Sequence, residues 1–272
     1  MNTIAQHVIR SSEGGWTVPG HADFGFLAED PMSWENIEDR SFWYRHRNRV
    51  ILEVIRQWRP DGRLFEIGAG NGFVSLALQQ ADVDVVAIEP TVAWAKVAVR
   101  RGVKTVICAT FEACGFQPGT VLNVGLFDVL EHIENDAEFL QNLYDHMPAG
   151  GKLYCAVPAY QWMWSTEDVA ASHCRRYSIP QLKQLLSRVG FETLYATYYF
   201  QMLVVPVFFL RSLPSLLGVR KRRSAAATQT EHFLAQHRLG WVLNILLDRE
   251  IRLIAKSRSL PFGASCLCVC RK

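Results

Sequence analysis

Short apolar runs alternate along the chain with longer segments whose apolar residues recur at helical spacing. The first long segment, residues 41–58, is predicted to be a helix, because Phe42, Val50 and Val54 fall on one side of it and a Pro-Asp-Gly sequence ends it. Short buried strands that alternate with helices are typical of β-α-β units. The pattern therefore predicts an α/β fold with a mostly parallel sheet and helices on both faces.

Seven strands are expected in all. The first six lie at 63–67, 84–88, 105–109, 121–127, 152–157 and 191–200, and helices are expected between them at 73–80, 91–101, 136–147 and 181–189. The last strand, 264–270, alternates apolar and small residues with period two.

The remaining stretches give the predicted domain organisation. An N-terminal extension covers 1–40, the main domain covers 41–200 together with 261–272, and a helical insertion covers 201–260. The insertion begins with a very apolar stretch, which four basic residues at 220–223 follow. An apolar helix followed by basic residues is typical of peripheral attachment to an anionic membrane, here through 201–223. A lid over the substrate and a homodimer contact are equally compatible with it.

Composition narrows the class further. The 272 residues are 49% hydrophobic and carry a net charge of +3, a near balance that argues neither for nor against nucleic acid, for which a strongly basic stripe would be the signal. No nucleic-acid partner is predicted. The N-terminus lacks the apolar core of a signal peptide, and no apolar run is long enough to span a bilayer. Seven cysteines without a C-x-x-C pair favour a reduced, cytoplasmic setting.

A glycine-rich loop follows the first strand, in the sequence LFEIGAGNGF at 64–73. A dinucleotide site needs a third small residue where this chain has Phe73, because helix and strand pack closely there. Glu66 also precedes the loop and is a poor neighbour for a diphosphate. Glu89 ends the second strand, where an acid accepts hydrogen bonds from a ribose in either kind of cofactor.

Several motifs in order resemble the class I S-adenosylmethionine-dependent methyltransferases, in particular the small-molecule (type 11/12) members. They are EIGAGNG at 66–72, AIEP at 87–90, ATFE at 109–112, FDVLEHI at 127–133, AGGKLYCAVP at 149–158 and HCRRYS at 173–178. The resemblance implies a Rossmann-like, seven-stranded sheet of order 3-2-1-4-5-7-6, with the last strand antiparallel.

The resemblance also implies S-adenosylmethionine as the cofactor and assigns its contacts. They are Glu66, Gly68, Ala69, Gly70 and Gly72 at the methionine part, Glu89 and Pro90 at the ribose, Thr110, Phe111 and Glu112 at the adenine, and Asp128 and Val129 at the sulfonium. Trp43 and Arg47 in the first helix are expected to cover the cofactor.

Methyl transfer is an in-line displacement, so the protein mainly has to position the acceptor, and a base is needed only if the acceptor loses a proton. His173 is the first candidate base, because histidine titrates near neutrality; a plain structural hydrogen bond is the alternative. His132 and Tyr177 are further catalytic candidates. Tyr160, Trp164 and Arg176 are candidates for acceptor binding.

No metal ligands are expected. Cys266, Cys268 and Cys270 face one way along the last strand, but no fourth ligand lies at the right spacing. The predicted function is methyl transfer to a small-molecule or lipid-like acceptor. The alternatives are an NAD(P)-dependent oxidoreductase and a cofactor-binding, membrane-associated protein without methyl transfer.

Overall fold

A nine-stranded mixed sheet forms the centre of the molecule. The computed structural model describes residues 5–10, 15–19, 39–218 and 240–272. The strands are β1 (Ile9–Arg10), β2 (Trp16–Thr17), β3 (Leu64–Ile67), β4 (Val85–Ile88), β5 (Val106–Cys108), β6 (Asn123–Phe127), β7 (Lys152–Pro158), β8 (Glu192–Tyr199) and β9 (Ser265–Arg271). Their order across the sheet is β1-β2-β5-β4-β3-β6-β7-β9-β8. Strand β9 runs antiparallel to both of its neighbours.

The expected number of seven strands is wrong, because residues in the N-terminal extension add two more. Trp16 and Thr17 pair in parallel with Ile107 and Cys108 at the edge of β5, and β1 then pairs with β2. These strands have two residues each, so they carry no hydrophobic period that a sequence could reveal. They cover a sheet edge that would otherwise leave backbone groups unpaired.

Helices cover both faces of the sheet. They are α1 (Phe42–Gln57), α2 (Phe73–Gln80), α3 (Val92–Arg101), α4 (Asp136–His146), α5 (Thr166–Ala170), α6 (Ile179–Val189), α7 (Val204–Val207), α8 (Leu213–Leu216) and α9 (Gly240–Ile254). A π-helical turn, Phe208–Ser212, joins α7 to α8. The insertion predicted at 201–260 contains α7, α8 and α9, and its residues 219–239 lie outside the described residues.

Strand β9 separates the two main layers of the core. Cys266, Cys268 and Cys270 are buried in the layer that includes α4 and α6. Leu267 and Val269 are buried in the opposite layer, with α1 and α9. The three cysteines are buried free thiols, which agrees with their small size and their period of two.

The central parallel strands bring three loops to one edge of the sheet. Ile67 lies beside Ile88 on one side and beside Leu126 on the other. The residues that follow these strands, Gly68, Glu89 and Asp128, therefore come to the same carboxyl edge. Ligands of open α/β sheets bind at this edge.

The first part of the insertion packs over the loop that follows β7. Ser212 donates a hydrogen bond to the Met163 carbonyl at 2.7 Å, and the rings of Phe208 and Trp162 meet edge to face at 5.4 Å. None of the helices in the described ranges combines the length and the hydropathy that a bilayer crossing requires.

Candidate active site

The loop at 68–72, here called the glycine loop, has a backbone that favours glycine at three positions. Gly68, Gly70 and Gly72 have φ angles of +69°, +54° and +77°. A Cβ at Gly68 would approach Val129 to 2.6 Å, and one at Gly72 would approach Ala98 to 2.9 Å. A Cβ at Gly70 would meet nothing within 4 Å. Gly68 and Gly72 therefore allow neighbouring side chains to pack closely against the backbone, whereas Gly70 borders open space.

Glu89 organises the glycine loop from the neighbouring strand. Its two carboxylate oxygens accept hydrogen bonds from the backbone N–H groups of Gly70 and Thr91, each at 2.8 Å. Only 6% of the residue is exposed. Glu66 is also buried and accepts a hydrogen bond from the Ser75 hydroxyl. Glu66 and Glu89 therefore both lie next to the glycine loop, as the sequence analysis expected.

The start of α1 covers the end of β6. Arg47 forms an ion pair with Asp128 at 2.8 Å and donates a hydrogen bond to the Phe127 carbonyl at 3.1 Å. Asp128 has a φ angle of +58°, which is unusual for a residue with a side chain. Trp43, one turn earlier, stacks on Phe200 with ring centroids 4.0 Å apart. This contact holds α1 across the carboxyl edge of the sheet.

In the segment predicted to flank the adenine, residues 110–112, two of the three side chains are engaged in contacts within the protein. Phe111 is 3% exposed and packs against Phe116 and His146 in the core. The Thr110 hydroxyl accepts a hydrogen bond from the Ala113 N–H, while Glu112 is exposed. Ala69 is buried and Pro90 is half-buried. An adenine contact by Phe111 stays a prediction.

Asp168 is the centre of the loop after β7. Its carboxylate accepts hydrogen bonds from His173 Nδ1 at 2.9 Å and from two nitrogens of Arg176 at 2.7 and 2.9 Å. Burial alone would raise the pKa of Asp168, but the bonds from His173 and Arg176 outweigh it and hold that pKa at about 2. Arg176, predicted to bind the acceptor, is thus engaged inside the loop.

His132 and His173, two of the predicted catalytic residues, are in contact with each other. Their rings meet edge to face with centroids 4.7 Å apart. Burial, with His173 as a second cause, lowers the pKa of His132 to about 4. The neighbouring Glu131 is completely buried; burial first, and then the charge of Asp128, raise the pKa of its carboxyl.

Tyr177 is held by a hydrogen bond to Asp136. Its hydroxyl donates to Asp136 Oδ2 at 2.8 Å, the atom that Arg175 also contacts. Burial and the Asp136 contact raise the pKa of Tyr177. The geometry is that of a residue that braces the loop, and a catalytic role for Tyr177 stays a prediction.

A row of aromatic rings leads outward from the end of β7. Tyr160 stacks on Tyr198 at 5.1 Å and on Trp162 at 5.3 Å, and Trp162 meets Phe208 in the insertion. Trp164, half-buried, follows this row in the chain. The row forms an apolar wall between the carboxyl edge of the sheet and the insertion.

Comparison with known proteins identifies the class. The family model described as a methyltransferase domain matches residues 42–196. An uncharacterized methyltransferase of Bacillus pumilus (strain SAFR-032) is 24% identical over 169 residues, which cover 55% of this chain and 78% of that protein.

Solved structures share the fold. Phosphoethanolamine N-methyltransferase 2 of Haemonchus contortus, in complex with S-adenosyl-L-methionine, superposes with a TM-score of 0.55 at 16% identity over 89% of this chain. The chain spans 56% of the length of that enzyme. A SAM-dependent methyltransferase of Thermotoga maritima has a TM-score of 0.53 at 16% identity, covering 89% of this chain and 93% of that one.

The fold and the glycine loop thus define a Rossmann-like, nucleoside-binding α/β protein. The chain belongs to the methyltransferase domain family and is a class I S-adenosylmethionine-dependent methyltransferase. Membership of this family excludes the alternative of an NAD(P)-dependent oxidoreductase. Phe73 agrees with this, because a dinucleotide site needs a small residue at its position.

Sequence reasoning missed some residues that the fold makes central. Asp168 holds two predicted site residues, and the Ser-x-x-Asp spacing of its capping box with Ser165 was the available signal. Glu250, in α9, accepts hydrogen bonds from the backbone N–H groups of Phe200 and Gln201 and pairs with His46 at 2.7 Å. No local pattern marks Glu250, because its partners are distant in the chain.

Proposed function

We propose that the enzyme transfers the methyl group of S-adenosylmethionine to a small-molecule or lipid-like acceptor with an apolar body. The observation that carries the acceptor class is the row of aromatic rings that joins the carboxyl edge of the sheet to an exposed apolar insertion. Stacked rings bind apolar surface without needing a polar partner.

The residues of the glycine loop fit the cofactor. Open space at Gly70 leaves room for a ligand to approach the backbone. The buried Asn71 Nδ2 has no hydrogen-bond partner among the described residues, and the carboxylate of a methionine moiety would satisfy it. Glu89 lies directly after β4, where an acid can accept hydrogen bonds from ribose hydroxyls.

The bound cofactor would supply an activated methyl group and a neutral leaving group. The chain itself has to position the acceptor and exclude water. Arg47 and Asp128 hold each other beside β6, so that the first turns of α1 cover the reaction centre. His173 has Nδ1 engaged by Asp168, which leaves Nε2 to face an acceptor.

Methyl transfer can be tested with matched acceptors. We expect formation of S-adenosylhomocysteine from S-adenosylmethionine to be faster with acceptors that carry an aromatic or acyl body than with the same polar group on a short chain, because the longer body adds buried apolar area. Release of S-adenosylhomocysteine is the measurement. Equal rates for long and short acceptors would contradict the proposed acceptor class.

The insertion supports contact with an anionic membrane surface. Its described part exposes large apolar side chains. They are Met202, Val205, Phe209, Leu210, Leu216 and Leu217. Four basic residues, at 220–223, follow in the sequence. Apolar side chains that enter the interface and cations that pair with lipid phosphates favour binding together.

Removing two of these apolar side chains should strongly weaken vesicle binding. We expect the double variant Phe209→Ser, Leu210→Ser to bind anionic vesicles at least about 100-fold more weakly, since each buried side chain contributes roughly 1.5–3 kcal/mol. Flotation with anionic and with neutral vesicles is the measurement. The control is Ile9→Ser, which removes an equally exposed apolar side chain at the opposite edge of the sheet. Equal flotation of both variants, or none by the parent chain, would overturn the membrane contact.

A further inference from the structure

Glu131 is a completely buried acid beside two histidines. It lies in the 3-10 turn Leu130–His132, which follows β6. Its exposure is 0%, and neither carboxylate oxygen has a partner among the described residues. A buried carboxylate is normally paired, hydrogen-bonded or bound to a cation, because its desolvation costs several kcal/mol. This side chain therefore calls for a partner that the described protein atoms do not provide.

Two histidines come to the same place. One ligand atom from each of Glu131, His132 and His173 lies within 4.8 Å of the others. Ligand atoms that surround one ion at about 2.1 Å lie roughly 3.0–3.4 Å apart. The three side chains would therefore have to approach by roughly 1.5 Å to surround an ion.

The orientation of His173 is already fixed in the manner of a metal ligand. Its Nδ1 bonds to Asp168, and Asp168 is 1% exposed and held by Arg176. A carboxylate on one ring nitrogen orients the other nitrogen of a metal-bound histidine and increases its basicity. The Asp168 contact thus prepares Nε2 of His173 to coordinate.

We propose that Glu131, His132 and His173 bind a divalent first-row transition-metal ion, such as Mn²⁺ or Zn²⁺, with Asp168 as the positioning residue of His173. Imidazole nitrogens with one carboxylate suit these ions better than Ca²⁺, which prefers oxygen ligands alone. Two histidines and one carboxylate also leave coordination positions open. The sequence concealed the site, because only cysteines were at a recognisable spacing.

The site deepens the proposed function, on which the following step rests. It lies one turn beyond Asp128 and Val129, at the edge where the cofactor is proposed to bind. A hydroxyl of the acceptor that coordinates the ion would lose its proton to solvent more readily. Its oxygen would then form a bond to the methyl carbon as the carbon–sulfur bond breaks, giving a methyl ether, S-adenosylhomocysteine and a proton. The ion would replace the base role predicted for His173, since Nε2 cannot serve both.

Direct metal binding tests the proposal. The full chain, treated with a chelator and dialysed, is titrated with Mn²⁺ and with Zn²⁺ by calorimetry, and its Co²⁺ form is examined by absorption spectroscopy. We expect one equivalent to bind and to raise the melting temperature. Glu131→Gln keeps the shape of the side chain and should weaken binding at least 100-fold. His173→Asn should do the same, and Asp168→Asn should weaken it about 10- to 100-fold.

His7→Asn is the matched control, because His7 is exposed and remote from the cluster. It should leave metal affinity and the Co²⁺ spectrum unchanged. The proposal is overturned if the parent chain binds no equivalent, or if Glu131→Gln binds as tightly as His7→Asn. Binding of S-adenosylhomocysteine is measured in parallel. If the parent chain binds S-adenosylhomocysteine but no metal ion, this inference alone is overturned. If the parent chain does not bind S-adenosylhomocysteine, the proposed function is overturned.

Discussion

Replacing Glu89 by alanine is expected to weaken the binding of S-adenosylhomocysteine by at least about 100-fold. Each hydrogen bond from a ribose hydroxyl to a charged acceptor contributes roughly 1.5–3 kcal/mol, and two are expected. The change also removes the acceptor of the Gly70 and Thr91 N–H groups, so the glycine loop loses its present geometry. Titration calorimetry with S-adenosylhomocysteine measures the loss.

Two further variants make this test specific. Glu89→Gln retains one carbonyl oxygen and should lose only about tenfold in affinity. Asp84→Ala removes an acid that lies just before the same strand, at the amino ends of the parallel strands. Asp84 pairs there with Arg63 and is exposed. It should bind as the parent does. If the folded Glu89→Gln and Glu89→Ala variants bind within twofold of Asp84→Ala, the ribose assignment is wrong.

The second large effect concerns stability. Glu250→Ala should lower the free energy of unfolding by about 3–5 kcal/mol, because it leaves the buried partners of this carboxylate without an acceptor. The partners are His46 and the backbone N–H groups of Phe200 and Gln201. Phe200 has a φ angle of +63°, so its backbone depends on such support. Urea denaturation gives the change as a lower midpoint.

Asp248→Ala is the control for Glu250. It lies in the same helix and breaks an ion pair with Arg49, but both side chains of that pair are exposed. The expected loss is no more than about 1 kcal/mol. Equal losses for the two variants would show that the Glu250 contacts contribute no more than a surface pair. Because Trp43 stacks on Phe200, Glu250→Ala should also weaken cofactor binding.

The sequence predicted the elements of the main domain well because their signals are local. The helix predicted at 41–58 is Phe42–Gln57, and the strand predicted at 121–127 is Asn123–Phe127. Each is specified by an apolar period and a turn within a few residues. The strands β1 and β2 escaped because two residues carry no period, and their stability depends on β5.

The candidate site was predicted unevenly for a related reason. Glycine at 68, 70 and 72 reflects a backbone requirement that each position carries by itself. The roles of Arg176 and Tyr177 could not be deduced in this way. Arg176 was predicted to bind the acceptor and Tyr177 to be catalytic, but Asp168 and Asp136 engage them through contacts that span 8 and 41 residues of sequence.

The sequence by itself determined the α/β class and the glycine loop, because these depend on short-range periodicity and on the φ angles that glycine permits; its ordered motifs carried the resemblance to the methyltransferase family. Only the tertiary structure decided which polar groups meet. Glu131 and His132 approach His173 because the loop after β7 folds back onto the end of β6. Glu250 reaches Phe200 because α9 packs beside α1. Such meetings follow from the path of the whole chain, and no local pattern of residues encodes them.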